Sequence, residues 1–233
     1  MKVEIWSDVV CPWCYIGKRR FEKALAAFPH EVEVTYRSFE LDPSAPVGGQ
    51  ERSVESLGRR YGGVERVLAM QEHVREQAAA EGLTFRLGET LHVNTVDAHR
   101  LLHLALDEGG TEQQGRVKEA LMAAYFEQAR DLSDPQVLRE IAVTNGLDAS
   151  RVDAVLAGQE YADAVRADVA RASAYGATGV PFFVFEETYA VSGAQPAEVF
   201  GQVLDQVWQE THPAPVTVLA GGTGDVCGPE GCD

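Results

Sequence analysis

Apolar and polar positions alternate from Lys2 to Ser7, with Val3 and Ile5 on one face, which predicts a strand ending at Ser7-Asp8. Beyond Cys11, the residues Ile16, Phe21, Leu25 and Phe28 recur at helical spacing until Pro29 stops the run. Residues 31–41 alternate again through Val32, Val34 and Tyr36, so the chain opens β-α-β. Pro43, Pro46, Gly48 and Gly49 then mark a loop, after which the period becomes helical. Val64, Val67, Leu68, Gln71 and Val74 form one stretch, closed by Gly82. Thr95 is placed to cap a helix over 96–108, with Leu101, Leu102, Ala105 and Leu106 as its stripe. Further helices are predicted over 112–130, 135–145 and 161–175, with Pro135 in a first turn. Strand character returns over 180–185 and 188–191, separated by Glu186-Glu187, which is not a favoured hairpin turn. A last helix spans 196–210, carrying Val199, Leu204, Val207 and Trp208.

Composition narrows the partners. The 233 residues, 45% of them hydrophobic, suffice for one substantial core with an attached subdomain. The formal net charge is −16, from 36 acidic and 20 basic residues, which argues against nucleic acid or an anionic membrane as the main partner. The start, Met1-Lys2-Val3-Glu4-Ile5-Trp6-Ser7, does not read as a signal peptide, and no apolar run has the length of a membrane span. A cytoplasmic location is therefore expected. In a reducing compartment, two cysteine pairs, Cys11/Cys14 and Cys227/Cys232, suggest redox chemistry or metal rather than structural staples.

The first pair carries the sharper signal. Cys11-Pro12-Trp13-Cys14 follows a strand and opens a helix. There the Cys11 sulfur faces unpaired backbone N–H groups and the positive end of the helix dipole, and both favour a thiolate. Cys14 lies one turn on, near enough to close a disulfide and resolve a mixed one. Pro12 suits the first turn, where its missing N–H has no partner to lose. Four cysteines could instead hold zinc, but structural zinc pairs sit on turns rather than opening a helix with proline inside, so no metal is expected. His99 and His103 share a helical face without a third ligand nearby, which reads as satisfied or solvent-facing histidines. Lys18, on the same stretch as Cys14, reads as a solvated lysine. Thr178-Gly179-Val180-Pro181-Phe182-Phe183 enters a strand at a proline. From the residues alone, an ordinary trans proline is the plainer reading. A cis bond there would free the Val180 backbone to pair with an extended peptide.

At these residues the chain resembles the DsbA-like branch of the thioredoxin superfamily, and within it the FrnE-type group. The resemblance is carried by Ser7-Asp8-Val9-Val10-Cys11-Pro12-Trp13-Cys14-Tyr15-Ile16-Gly17, by Asn94-Thr95 with Ala98-His99-Arg100, by 178–183, and by Ser192-Gly193-Ala194-Gln195-Pro196. It covers about residues 1–210. The element order agrees: an α/β thioredoxin fold with an inserted all-helical subdomain. The expected division is 1–44 with 177–212 as the thioredoxin-like part, 45–176 as the insertion, and 213–233 as a flexible tail. The resemblance implies a protein disulfide oxidoreductase or isomerase with Cys11 as nucleophile, Cys14 as resolver and Pro181 as the cis-proline of a substrate platform shared with Val180, Pro12 and Trp13. Its partners would be client proteins with disulfides or thiols and a cellular thiol reductant or oxidant.

Related members, the 2-hydroxychromene-2-carboxylate isomerases and kappa-class glutathione transferases, have serine where Cys11 stands and bind glutathione. A glutathione-dependent isomerase or transferase acting on a small aromatic compound is thus the alternative, with glutathione as co-substrate and no other cofactor. A zinc-dependent or chaperone-like module that presents the helical block to clients is a third reading. The second pair departs from the broad family pattern. In Cys227-Gly228-Pro229-Glu230-Gly231-Cys232 the glycines and proline favour a turn that joins the two sulfurs. A glycine-rich tether before it could bring that pair to Cys11 as an electron relay.

Overall fold

Trp6 and Phe183 are both fully buried although they lie 177 positions apart, because adjacent strands carry them into one sheet. The computed structural model describes residues 1–213 and the backbone of 227–228 and 231–232. Its elements run β1 (Lys2–Ser7), α1 (Pro12–Ala27), β2 (Glu33–Ser38), α2 (Ser53–Tyr61), α3 (Val64–Ala80), α4 (Val96–Phe126), α5 (Pro135–Thr144), α6 (Ala149–Ala157), α7 (Ala162–Ala174), β3 (Phe182–Phe185), β4 (Tyr189–Ser192) and α8 (Ala197–Thr211). The four strands order as β2-β1-β3-β4, with β1 parallel to β2 and antiparallel to β3. This is a thioredoxin fold, with α2 to α7 inserted between β2 and β3.

Period-two alternation builds the two faces of the sheet. Val3, Ile5, Phe183 and Phe185 pack with Phe21, Phe200, Leu204 and Val207 under α1 and α8. Trp6, Phe182 and Val184 point the other way, onto Ala172 of α7. The outer edge of β2 is closed by a side chain: the Gln114 amide accepts from the Tyr36 N–H at 2.8 Å and donates to the Tyr36 carbonyl at 2.9 Å. That mimics a neighbouring strand and blunts an edge open to pairing.

Several expectations need correction. The residue that caps α4 with its side chain is Asn94, which accepts from Val96 N at 3.0 Å; Thr95 makes no such bond. The helices expected over 96–108 and 112–130 form one run to Phe126, broken at Gly110 (φ 66°, ψ −167°), where a positive φ favours glycine. Two short helices, α2 and α6, were not anticipated. Glu186 and Glu187 do make the hairpin turn, both at positive φ, with Thr188 N donating to Phe185 O at 3.0 Å. The Lys2 N–H donates to Glu186 Oε1 at 2.7 Å, a tie to β1 that offsets the unfavourable backbone. The tether and its flexibility lie outside the described residues.

Lys18 is not solvated. It is 6% exposed and bridges Glu22 and Glu119, each at 2.5 Å, while Arg19 pairs with the same two carboxylates. Tyr15 Oη donates to Glu119 at 2.6 Å, so this cluster fastens α1 to α4. Burial works against the Glu119 charge, but Arg19 and Lys18 hold its carboxyl down at about 2. A depressed carboxyl stabilises the fold above its unfolded value near 4.5 and loses that contribution as pH falls toward 2. Because Glu119 is 32% exposed, solvent screening trims the contribution to about 1–2 kcal/mol. Urea unfolding of Glu119→Gln should show that deficit at neutral pH and none near pH 2; a deficit independent of pH would refute this account.

Candidate active site

The end of β1 delivers the cysteines. Cys11 takes the N-cap position of α1 in extended conformation (φ −92°, ψ 114°), and Pro12 occupies the first turn. The Cys11 carbonyl accepts from the N–H groups of Cys14 at 3.1 Å and Tyr15 at 3.4 Å. No side chain caps the helix at Cys11, which leaves its first N–H groups directed at the sulfur's surroundings. Both cysteines are nearly enclosed, Cys11 at 4% and Cys14 at 2% exposure. Burial pushes the Cys14 thiol well up, and its bond to Cys11 adds to the effect, while Lys118 opposes it.

Across from the pair stands the segment that enters β3. The Val180–Pro181 peptide is cis, and the Cys11 thiol donates to Val180 O at 3.6 Å. The segment is pinned from behind: Gly193 N donates to Pro181 O at 2.8 Å, and Arg20 Nη1 to Ala194 O at 2.8 Å. Arg20 also reaches Glu81 at 2.8 Å and Gln77 at 2.7 Å, which ties α1 and α3 to the same place. Gly17 makes this approach workable, since a Cβ there would stand 3.1 Å from Pro181 Cγ and 3.3 Å from Ala194 Cβ.

The structure brings Cys11, Cys14, Pro12, Trp13, Val180 and Pro181 together. Trp13 is half-buried, its ring 6.1 Å from that of His73 on α3. Beside Pro12 and Trp13 opens an apolar groove of about 200 Å³, lined also by Tyr61, Met70 and Val74. A second cavity, of about 440 Å³, reaches Asp8 and Val10 and carries Arg59, Arg60 and His92. At the far end of the chain, Cys227 and Cys232 face each other in register across β5 (Cys227–Gly228) and β6 (Gly231–Cys232); their side chains lie outside the described residues.

Two side chains near the pair, Asp8 and Lys118, were given no role by the sequence reading. Asp8 is buried, accepts from Leu41 N at 2.9 Å and lies 3.3 Å from His99 Nε2. Burial opposes its charge, yet His99 and the Leu41 N–H hold its carboxyl below the usual range. His103 is bound to Ser38 Oγ at 3.1 Å, whereas His99 Nδ1 is buried without a partner among the described residues, so only His103 meets the expectation of a satisfied histidine. Lys118, from α4, is wholly buried and donates to Ser7 O at 3.3 Å. A signal for it was present: Lys118, Met122 and Tyr125 follow one another at helical spacing on the buried side of α4.

Comparison with known proteins follows this geometry. A probable DsbA oxidoreductase from Streptomyces coelicolor is 48% identical, with a TM-score of 0.85 over 100% of this chain and 98% of that one. The uncharacterized protein YwbO of Bacillus subtilis is 26% identical over 211 residues, 87% of this chain and 94% of its own length. The cytosolic disulfide reductase DsbM from Pseudomonas aeruginosa, solved with GSH, shares the fold at a TM-score of 0.61 and 16% identity, over 89% and 99% of the two chains. Residues 2–205 match the model of the DSBA-like thioredoxin domain, and the chain belongs to this family of oxidoreductases.

Proposed function

We propose that the protein is a cytoplasmic thiol–disulfide oxidoreductase and disulfide isomerase that acts on protein clients through Cys11 and Cys14. The observation that carries this reading is a thiol at the start of α1, 3.6 Å from the carbonyl of Val180, with a second thiol one turn behind it. The Cys11 thiolate attacks a client disulfide and one client sulfur leaves as a thiolate. The Cys14 sulfur then attacks Cys11, the second client sulfur leaves, and a Cys11–Cys14 disulfide remains. Two electrons have passed to the client; the reverse sequence oxidises a client dithiol. Val180 and Pro181 offer the client backbone a platform, and Pro12 and Trp13 with the apolar groove receive its side chains.

For the resetting partner, the 440 Å³ cavity with Arg59 and Arg60 has the room and charge for a small acidic thiol such as glutathione. The cytoplasmic assignment draws support from the likeness to DsbM, a cytosolic enzyme by description. Among the described residues no helix is long and apolar enough to cross a membrane. The opposed Cys227 and Cys232 support an auxiliary redox pair that exchanges with Cys11.

Reduction of insulin disulfides by a thiol tests the reading. The native protein should accelerate it, Cys11→Ser should fall to the uncatalysed rate, and deletion of residues 220–233 should slow turnover if the tail relays electrons. Equal inertness of native protein and Cys11→Ser, with glutathione still bound, would favour the glutathione-dependent isomerase or transferase instead.

A further inference from the structure

Gln71 is a polar side chain beside the cysteines that neither the fold nor this cycle employs. Its place on α3 belongs to an apolar stripe: Val67, Gln71 and Ala78 are the buried residues of the helix, and Val74 packs against the same core. The residue is 7% exposed, and its Oε1 is buried without a partner among the described residues. An unmet buried amide is destabilising, and a leucine there would avoid it. Gln71 lines the apolar groove that begins at Pro12 and Trp13. The other polar side chains of that lining are already engaged. Ser53 Oγ and Thr90 Oγ1 bond each other at 2.5 Å, Thr90 Oγ1 donates to Leu87 O at 3.1 Å, and Tyr125 Oη donates to Leu91 O at 2.7 Å. Tyr61 stands at the rim, 42% exposed to water. One buried amide is left to answer whatever enters.

The groove fixes the rest of its occupant. Its volume of about 200 Å³ falls below the roughly 300–1,000 Å³ of pockets that enclose a whole small ligand, and suits one large side chain. Trp13 and Tyr61 offer ring surfaces and Met70 a thioether, a lining that favours an aromatic ring. A phenol oxygen both donates and accepts, so it meets the Gln71 amide by either of that amide's ends. We propose that the groove receives a client tyrosine close to the cysteine that Cys11 attacks, and that Gln71 is the residue that selects it. Pro12 and Trp13 follow Cys11 directly, and an extended chain advances about 3.3–3.6 Å per residue, so that tyrosine stands about one or two positions from the client cysteine. Binding gives the amide the partner that folding withholds. The helical insertion thereby sets which clients reach chemistry that the thioredoxin part displays.

This inference rests on the thiol–disulfide reading and names the client side chain it favours; one pair of peptides separates the two. Each peptide carries a single cysteine as its mixed disulfide with thionitrobenzoate, and they differ only in tyrosine or phenylalanine at the next position. Cys11 attacks the peptide sulfur and the coloured thionitrobenzoate thiolate leaves. The second-order rate constant of the native protein should favour the tyrosyl peptide about tenfold. Gln71→Leu should bring that ratio within about twofold of unity and leave the phenylalanyl peptide within about threefold of its native rate. The same variant should melt at a higher temperature, a change that a purely structural role would produce alone. A ratio near unity in the native protein, or one that survives in Gln71→Leu, would overturn the proposal. Release from both peptides that Cys11→Ser leaves unaltered would instead defeat the redox reading itself. Because the peptides are compared on the native chain, the test holds should the variant not fold. 4-Methylphenol, the tyrosine side chain by itself, should compete with the tyrosyl peptide at millimolar concentration. Competition without any preference between the peptides would assign the groove to a free phenol and overturn the client assignment.

Discussion

Changing Cys14 to serine is expected to halt turnover and leave clients covalently attached to Cys11. The first attack needs only Cys11, which keeps its place at the head of α1 and its approach to Val180. The second needs a sulfur one turn on, and a hydroxyl cannot displace a thiolate from a disulfide. Each encounter then ends at the mixed disulfide, which only an outside thiol can release. Turnover should fall on the order of a thousandfold. Non-reducing electrophoresis and mass spectrometry would show a one-to-one adduct with a disulfide-bearing peptide, absent in Cys11→Ser. Serine is close in size to the cysteine it replaces, so thermal unfolding should barely change. Retained turnover would mean that Cys14 is not the resolving residue.

Arg100→Ala should produce the largest loss of stability for a single side chain outside the sheet. The guanidinium is 2% exposed and spends its donors on Glu160 O at 2.8 Å, Asp97 Oδ1 at 2.7 Å, Gly158 O at 2.9 Å and Val155 O. It clasps the first turn of α4 to the end of α6 and the bend before α7. Truncation leaves three backbone carbonyls without their charged donor, at about 3–5 kcal/mol. For a chain of this size that lowers the melting temperature by roughly 6–20 °C. Lysine should recover little of it, since a single ammonium cannot span the fork. His99 precedes Arg100 on the same turn and meets Asp8, so loosening here should also blunt insulin reduction. A melting temperature within about 2 °C of the native value would show that the carbonyls find other partners.

How far sequence carries depends on how local the physics is. Cys11 to Cys14 could be read because a helix start, a proline and two sulfurs one turn apart act on each other within four residues. Pro181 is different: its place opposite Cys11 depends on β1 pairing with β3, and the resemblance supplied what spacing could not. Lys18 was misjudged because an isolated lysine belongs in water, while Glu119, the partner that buries it, lies 101 positions away. Asp8 and Lys118 went unread for the same reason. Each has an ordinary role within its own element, and only packing assembles them. Helix α6 was missed despite a local cue, Asp148, whose side chain accepts from Ser150 N at 3.0 Å and Arg151 N at 3.1 Å. Nine residues are too few for its periodicity to stand out.

The central position of β1 has a consequence for the chain while it is being made. Its partner β2 follows within a few dozen residues, but β3, which covers its other edge, begins at Phe182. At about 5–20 residues per second, a ribosome needs roughly 10–35 s to travel that distance. For most of that time neither Leu101, Val117 and Leu121 of α4 nor the Pro181 segment exists to enclose the cysteines. The nascent thiols therefore meet the cell's oxidants before any fold selects which sulfur reacts, and the state in which they leave the ribosome is set by the surrounding redox buffer.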